Sequence, residues 1–78
     1  MYLAVVDVKP LQEYTLLLTF ENGEKRIFDM KPYLSKGIFR DLKNEDMFKT
    51  VRVSFDSIEW SNEADIDPEI LYEDSIKS

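Results

Sequence analysis

The chain has 78 residues, 16 Asp and Glu against 10 Lys and Arg, and neither His nor Cys. The missing Cys excludes a disulfide framework and thiolate chemistry, and the missing His removes the usual general base and the commonest metal ligand, so no cofactor and no zinc or transition-metal site is expected. The length implies one domain over 1–78 with a modest core, and 44% hydrophobic residues with one Trp, four Tyr and five Phe is a composition that folds.

Met1 runs into an apolar stretch without a basic leader, so no signal peptide is read. No apolar run approaches the ~20 residues of a membrane span. The expectation is a cytoplasmic protein that engages no membrane. Residues 2–9 (YLAVVDVK) read as a first strand, near-continuously apolar and so expected inside the sheet rather than at its edge. Pro10 is expected to end its ladder and open a connection over 9–13.

Tyr14 to Met30 reads as a hairpin with its tip at Asn22-Gly23, the strongest short-range hairpin signal. A two-residue type I′ loop there pairs Phe20 with Lys25, Thr19 with Arg26, Leu18 with Ile27 and Leu17 with Phe28. Tyr14, Leu16, Leu18 and Phe20 then share an apolar face, and Ile27 joins it. Leu17 and Phe28 load the opposite face, which something must partly cover.

Residues 32–49 read as two or three short helical pieces lying on the sheet and covering the Leu17/Phe28 face. Pro32 suits a first helical position, and Asp29 is placed to cap the turn at Lys31-Pro32. Asn44 is an N-cap with Glu45 and Asp46 in the first turn. Val51, Val53 and Phe55 alternate with Arg52 and Ser54 as a half-buried strand. Asp56-Ser57 is read as a turn, 58–60 as a fifth strand and 62–65 as loop. Asp67 caps a last helix with Pro68 at its first position, docked by Ile70, Leu71 and Tyr72 with Ile66 at its entry. The fold class is α+β: an antiparallel sheet of about five strands (a meander plus a hairpin), short helices between strands three and four, and a C-terminal helix.

The charge is uneven. Asp56 to Asp74 holds eight acids and no Lys or Arg, whereas 1–55 is near neutral. That balance disfavours nucleic acid, whose phosphates need clustered bases, and suits a basic protein partner. The bland alternative is a solvated face that keeps a small domain soluble. Lys25, Arg26, Lys43, Lys49 and Arg52 lie among acids and read as an ordinary mixed surface. Six Ser lack both a nucleophile-elbow motif and a His to activate one. Asp65-x-Asp67-x-Glu69 resembles the start of a calcium loop, but Ile70 stands where the loop needs Gly, and helix capping explains the same residues. Trp60 either anchors a partner or fills the core. The partner-binding candidates are Trp60, Glu63, Asp65, Asp67 and Glu69.

Phe20 to Gly23, Asp29, Phe39 with Leu42, Val51 with Val53, Trp60, and the ending Asp65-Ile66-Asp67-Pro68-Glu69-Ile70-Leu71-Tyr72 together resemble a family of small bacterial proteins known as domain of unknown function 2442. The match spans nearly the whole chain. Ser61 departs from it, since Pro is expected after the Trp. The resemblance implies an α+β domain with an antiparallel sheet, and no catalytic residues. Some relatives look like the front part of helix-turn-helix regulators and others like partners in toxin–antitoxin pairs. The chain stops soon after Tyr72, so an appended helix-turn-helix is not expected. The leading expectation is a non-catalytic protein-interaction module, regulatory or antitoxin-like. The alternative is a small enzyme or accessory subunit using carboxylates. Homodimerisation stays open, because a small core and an unpaired sheet edge both invite it.

Overall fold

The structure, a computed structural model, describes residues 3–77. It is α+β, with two antiparallel sheets and short helical segments between and after them. Sheet A has the order β1 (Val5–Pro10), β2 (Thr15–Phe20), β3 (Lys25–Asp29), β7 (Ile76–Lys77). Sheet B is β4 (Arg52–Ser54), β5 (Ser57–Glu59), β6 (Asp65–Ile66). Among the described residues there are thus seven strands rather than about five. Residue 2, where the first strand was expected to begin, lies outside them.

The meander β1-β2-β3 forms as expected, but β1 is an edge strand. Its run of valines is not uniformly buried: Val5 is in the core while Val6 is 55% exposed, at a bulge between Val5 and Asp7. Pro10 ends the ladder, one residue later than expected: it is itself the last residue of β1, opposite Leu16, a terminal position where a missing N–H is tolerated.

The Asn22-Gly23 turn is where expected, but its type differs. Phe20 N–H donates to Glu24 O (2.9 Å) and Gly23 N–H to Phe20 O (2.8 Å), and of the two central residues only Gly23 has positive φ, +85°. This is a three-residue loop with a glycine bulge, not the two-residue type I′ loop. The extra loop residue moves the register by one, pairing Leu16 with Phe28, Leu17 with Ile27 and Leu18 with Arg26. A one-residue slip exchanges the faces of a strand. Phe28 therefore joins Leu16, Leu18 and Phe20 in the core, all fully buried, and Ile27 joins Leu17 on the outer face.

The helical layer consists of 3₁₀ turns Lys31–Tyr33 and Gly37–Lys43 and helix α1 (Glu45–Phe48). Asn44 caps α1 as expected, its side-chain Oδ1 accepting from Asp46 N–H and Met47 N–H. Asp29 Oδ1 accepts from Lys31 N–H at 2.9 Å. The layer covers the Leu16/Phe28 face, with Tyr33 stacked on Phe28 at 5.5 Å. It was expected on the face of Leu17, and the register shift accounts for the difference.

Arg52–Ser54 and Ser57–Glu59 pair around Phe55-Asp56, which have φ of 48° and 68°. This is the type I′ hairpin of the chain, two residues long and one position earlier than the Asp56-Ser57 turn read from the sequence. Phe55 is consequently not a strand residue facing a core but a turn tip, 98% exposed. Trp60 follows β5 and is fully buried, its indole N–H donating to Phe48 O at 3.0 Å. Asp65, read as loop, is part of β6. Helix α2 (Pro68–Glu73) is capped by Asp67, which accepts from Glu69 N–H at 2.8 Å. Leu71 is buried and Ile66 nearly so; Ile70, expected to dock, is 40% exposed. At Ser61 the N–H donates to Thr50 Oγ1 (3.1 Å), a bond that a Pro at this position could not make.

Candidate functional site

The surface with the most distinctive chemistry is the outer face of sheet B. Residues two apart on a strand share a face, so Arg52 and Ser54, Ser57 and Glu59, and Asp65 with Asp67 after it project together, while Ile58 and Ile66 turn inward. Ser57 hydroxyl donates to Ile66 O and ties β5 to β6 on this face. A hollow of about 480 Å³ runs along it, lined by Phe55, Glu59, Asp65, Asp67 and Pro68 among others.

Its electrostatics follow from the register. Glu59 stands between Arg52 and Asp65 across the strands. Arg52 Nη2 lies 3.2 Å from Glu59 Oε1, a partly exposed pair. Asp65 then sits directly opposite another acid, a like-charge cross-strand pair that disfavours the folded sheet. Asp67 faces the same hollow while its Oδ1 caps α2. Arg52 thus pairs with Glu59 alone among the three carboxylates of the hollow, beside an aromatic ring turned fully to solvent.

Of the five residues proposed from sequence, Asp65 and Asp67 line this hollow. Glu63 does not: it sits in the β5–β6 turn with φ of 70°, donating its N–H to Trp60 O. Glu69 is exposed in the first turn of α2 and is not among the lining residues. Trp60 is in the core, so its buried alternative holds and it presents no surface. Phe55 and Glu59 were missed. The alternation Val51-Val53-Phe55 concealed Phe55; the signal against it was the symmetry of Arg52/Glu59 and Ser54/Ser57 about Phe55-Asp56, which marks a two-residue loop. Among the described residues no group of three or more His, Cys, Asp or Glu is placed to hold a metal ion.

A larger hollow of about 1030 Å³ lies between 10–15 and α1, with Glu13, Glu45 and Lys49 on its walls. Glu13 and Tyr14 both have positive φ there (58° and 60°). Hydrogen bonds hold this strained pair: Tyr14 OH donates to Lys43 O, and Lys31 Nζ to Glu13 O at 3.1 Å. The charged residues lining this hollow are of mixed sign.

A clasp fastens the end of α2 and the residues after it to the β2–β3 hairpin and the helical layer. Arg26 stacks over the Tyr72 ring (4.4 Å), pairs with Glu24, and donates to Ser75 Oγ (2.7 Å) and Ser75 O (3.0 Å). Tyr72 OH donates to Glu24 Oε1 (3.0 Å), and Tyr33 OH to Asp74 Oδ2 (2.8 Å). The hydrogen bond from Arg26 holds the Glu24 carboxyl below its usual range. Hydrogen bonding to Glu24 raises the Tyr72 phenol, and hydrogen bonding to Asp74 raises that of Tyr33.

These directions fix a pH window. A lowered carboxyl contributes stability above its unfolded value of 4.5 and loses it as pH falls through the lower folded value; the raised phenols contribute below 10.0 and lose it as pH climbs through the higher folded values. At alkaline pH the amides of α2 and β7 are expected to lose exchange protection before those of β2 and β3, and Tyr33→Phe with Tyr72→Phe to flatten that pH dependence. Simultaneous loss in both regions would contradict the clasp.

Among the described residues no helix is long and apolar enough to cross a membrane. A family model described as protein of unknown function (DUF2442) matches residues 5–77, in keeping with the resemblance carried by the Trp60-to-Tyr72 ending. No curated protein and no solved structure matches the chain.

Proposed function

The chain belongs to the DUF2442 family of proteins of unknown function, and from the physics of its own surface we propose that it is a non-catalytic protein-interaction module that receives a basic segment of a partner protein on the outer face of sheet B. In cellular terms this is a regulatory or antitoxin-like role in the cytoplasm. The observation that carries the reading is Phe55, 98% exposed at a φ of 48°, beside Glu59, Asp65 and Asp67. A bulky residue in the left-handed region costs roughly 1–2 kcal/mol. Neither strain nor full exposure of an aromatic ring serves the isolated fold, whereas both suit an aromatic anchor at an interface. Asp65 and Asp67, which make none of the described ion pairs, supply attraction for Lys or Arg on the partner and speed encounter. Nucleic acid and anionic membrane are repelled by the same field.

The test is affinity capture by the tagged full chain from its own cells, with Phe55→Asn and Asp65→Asn run in parallel. One basic protein is expected to be strongly enriched, to be lost from both variants and to elute with salt. Recovery of background proteins alone, or capture indifferent to both variants, contradicts the reading. Phe55→Asn also carries a stability prediction. Asn tolerates the left-handed conformation, so relief of strain is expected to raise stability by about 1 kcal/mol, a Tm gain of roughly 4–8 °C. A variant that is more stable yet no longer captures its partner separates a role in binding from a role in folding. A lower Tm would mean that the ring supports the fold.

A further inference from the structure

The outer face of sheet A supports an inference that does not rest on the sheet B reading. The helical layer and sheet B cover only the inner face. The register makes one row of Lys9, Leu17, Ile27 and Ile76 across all four strands, with Asp7, Thr19 and Lys25 on one side of it and Thr15 and Asp29 on the other. None of these nine residues is buried, and Ile76 is 74% exposed. Leu17, Ile27 and Ile76 thus form an apolar row across a sheet face over which the described residues place no layer.

The charge pattern indicates what covers it. The chain carries −6 overall, yet this face balances Asp7 and Asp29 against Lys9 and Lys25. A basic partner has no net complement here. Along β3 the order Lys25, Ile27, Asp29 is antisymmetric in charge about Ile27. Rotation by a half-turn about the row axis therefore lays Lys25 of one copy on Asp29 of the other, twice over, with Leu17, Ile27 and Ile76 meeting their own equivalents. Lys9 meets Lys9 only at the rim, on the edge strand β1, where exposed like charges subtract little. That is the self-complementarity an isologous interface requires. Asp29 already meets Lys31 Nζ at 3.2 Å, but both side chains are about half exposed and such a pair is readily shared.

We infer that the chain forms a two-fold dimer by packing the outer faces of sheet A against each other, with Leu17, Ile27 and Ile76 at the centre and reciprocal Lys25–Asp29 pairs at the sides. Strands ~4.8 Å apart and ~3.3 Å per residue make the face roughly 20 by 17 Å. That is well under the ~800 Å² per partner of a standard specific interface, so the dimer is weak and concentration-dependent.

Sedimentation equilibrium of the full chain from about 10 μM to about 1 mM tests this. A monomer–dimer equilibrium is expected. Ile27→Lys is expected to weaken it by roughly thirtyfold or more, through a charge placed in the apolar row, with an unchanged circular-dichroism spectrum. Lys25→Glu is expected to weaken it about tenfold, and the double variant Lys25→Glu/Asp29→Lys to return it to within about threefold of the parent. Should Ile27→Lys fail to fold, the charge-swap series at two exposed positions decides by itself. A chain monomeric at the highest concentration, a dimer indifferent to Ile27→Lys, or a double variant no tighter than Lys25→Glu overturns the inference. So does a dimer abolished by Phe55→Asn, which would place the contact on sheet B.

Discussion

Trp60→Ala is expected to lower stability by about 3–5 kcal/mol, the range for truncating a fully buried large aromatic. A chain of this size has roughly 4–12 kcal/mol in total, so the variant loses about a quarter of its stability or more. The loss has three parts. The indole is fully buried and is the largest side chain of the core. It packs between Phe39 (6.4 Å) and Phe48 (6.3 Å), so it joins the end of β5 to the helical layer. Its N–H donates to Phe48 O at 3.0 Å, and removing the donor leaves a carbonyl inside the core with one partner fewer. Trp60→Phe keeps an aromatic ring and loses the donor; it is expected to cost less, about 1–3 kcal/mol. Urea denaturation followed by far-UV circular dichroism measures both. A cost for Trp60→Ala near the ±0.5 kcal/mol of ordinary surface changes would mean that the indole is not seated in the core.

Phe28→Ala is expected to cost about 3–5 kcal/mol, and Leu17→Ala well under half of that. The two substitutions separate the two possible registers of one hairpin. With Leu16 opposite Phe28, the Phe28 ring is fully buried and stacks on Tyr33 at 5.5 Å, while Leu17 lies on the outer face, only partly buried. With the two-residue loop, Leu17 and Phe28 would face the same way and lose comparable burial. Equal costs by chemical denaturation would therefore favour the shorter loop. The measurement belongs at low protein concentration, where the sheet A faces are unpaired and Leu17 reports only on the monomer.

Much of the candidate site was legible because it consists of local chemistry. The Asp67-Pro68-Glu69 cap could be read directly, and it fixes where Asp67 stands at the head of α2. The acids from Asp56 to Asp74 had to lie largely at the surface, since that stretch holds no Lys or Arg and charged side chains are rarely fully buried. What could not be read was which acids meet. Glu59 and Asp65 come together only because β6 pairs with β5, and two residues are too few to show a period. Phe55 was lost for a related reason. Its alternation with Val51 and Val53 is a genuine strand pattern, and only closure of the β4–β5 hairpin turns it out into solvent.

The sequence by itself determined the α+β class, the β1-β2-β3 meander, the Asn44 and Asp67 caps, the turn at Asn22-Gly23 and the acidic C-terminal part. Each of these depends on interactions within a few residues: a side chain meeting a nearby N–H, a glycine free to take positive φ, or an apolar alternation along one strand. The tertiary structure decided the register of β2 against β3, the face on which Phe28 lies, the split into two sheets and the pairing of β6 and β7. The Asn22-Gly23 turn admits both a two-residue and a three-residue loop. The choice falls to the loop that places Phe28 rather than Ile27 beneath the helical layer, because burying a Phe ring against Tyr33 while Arg26 reaches Ser75 and Tyr72 satisfies more of the chain at once.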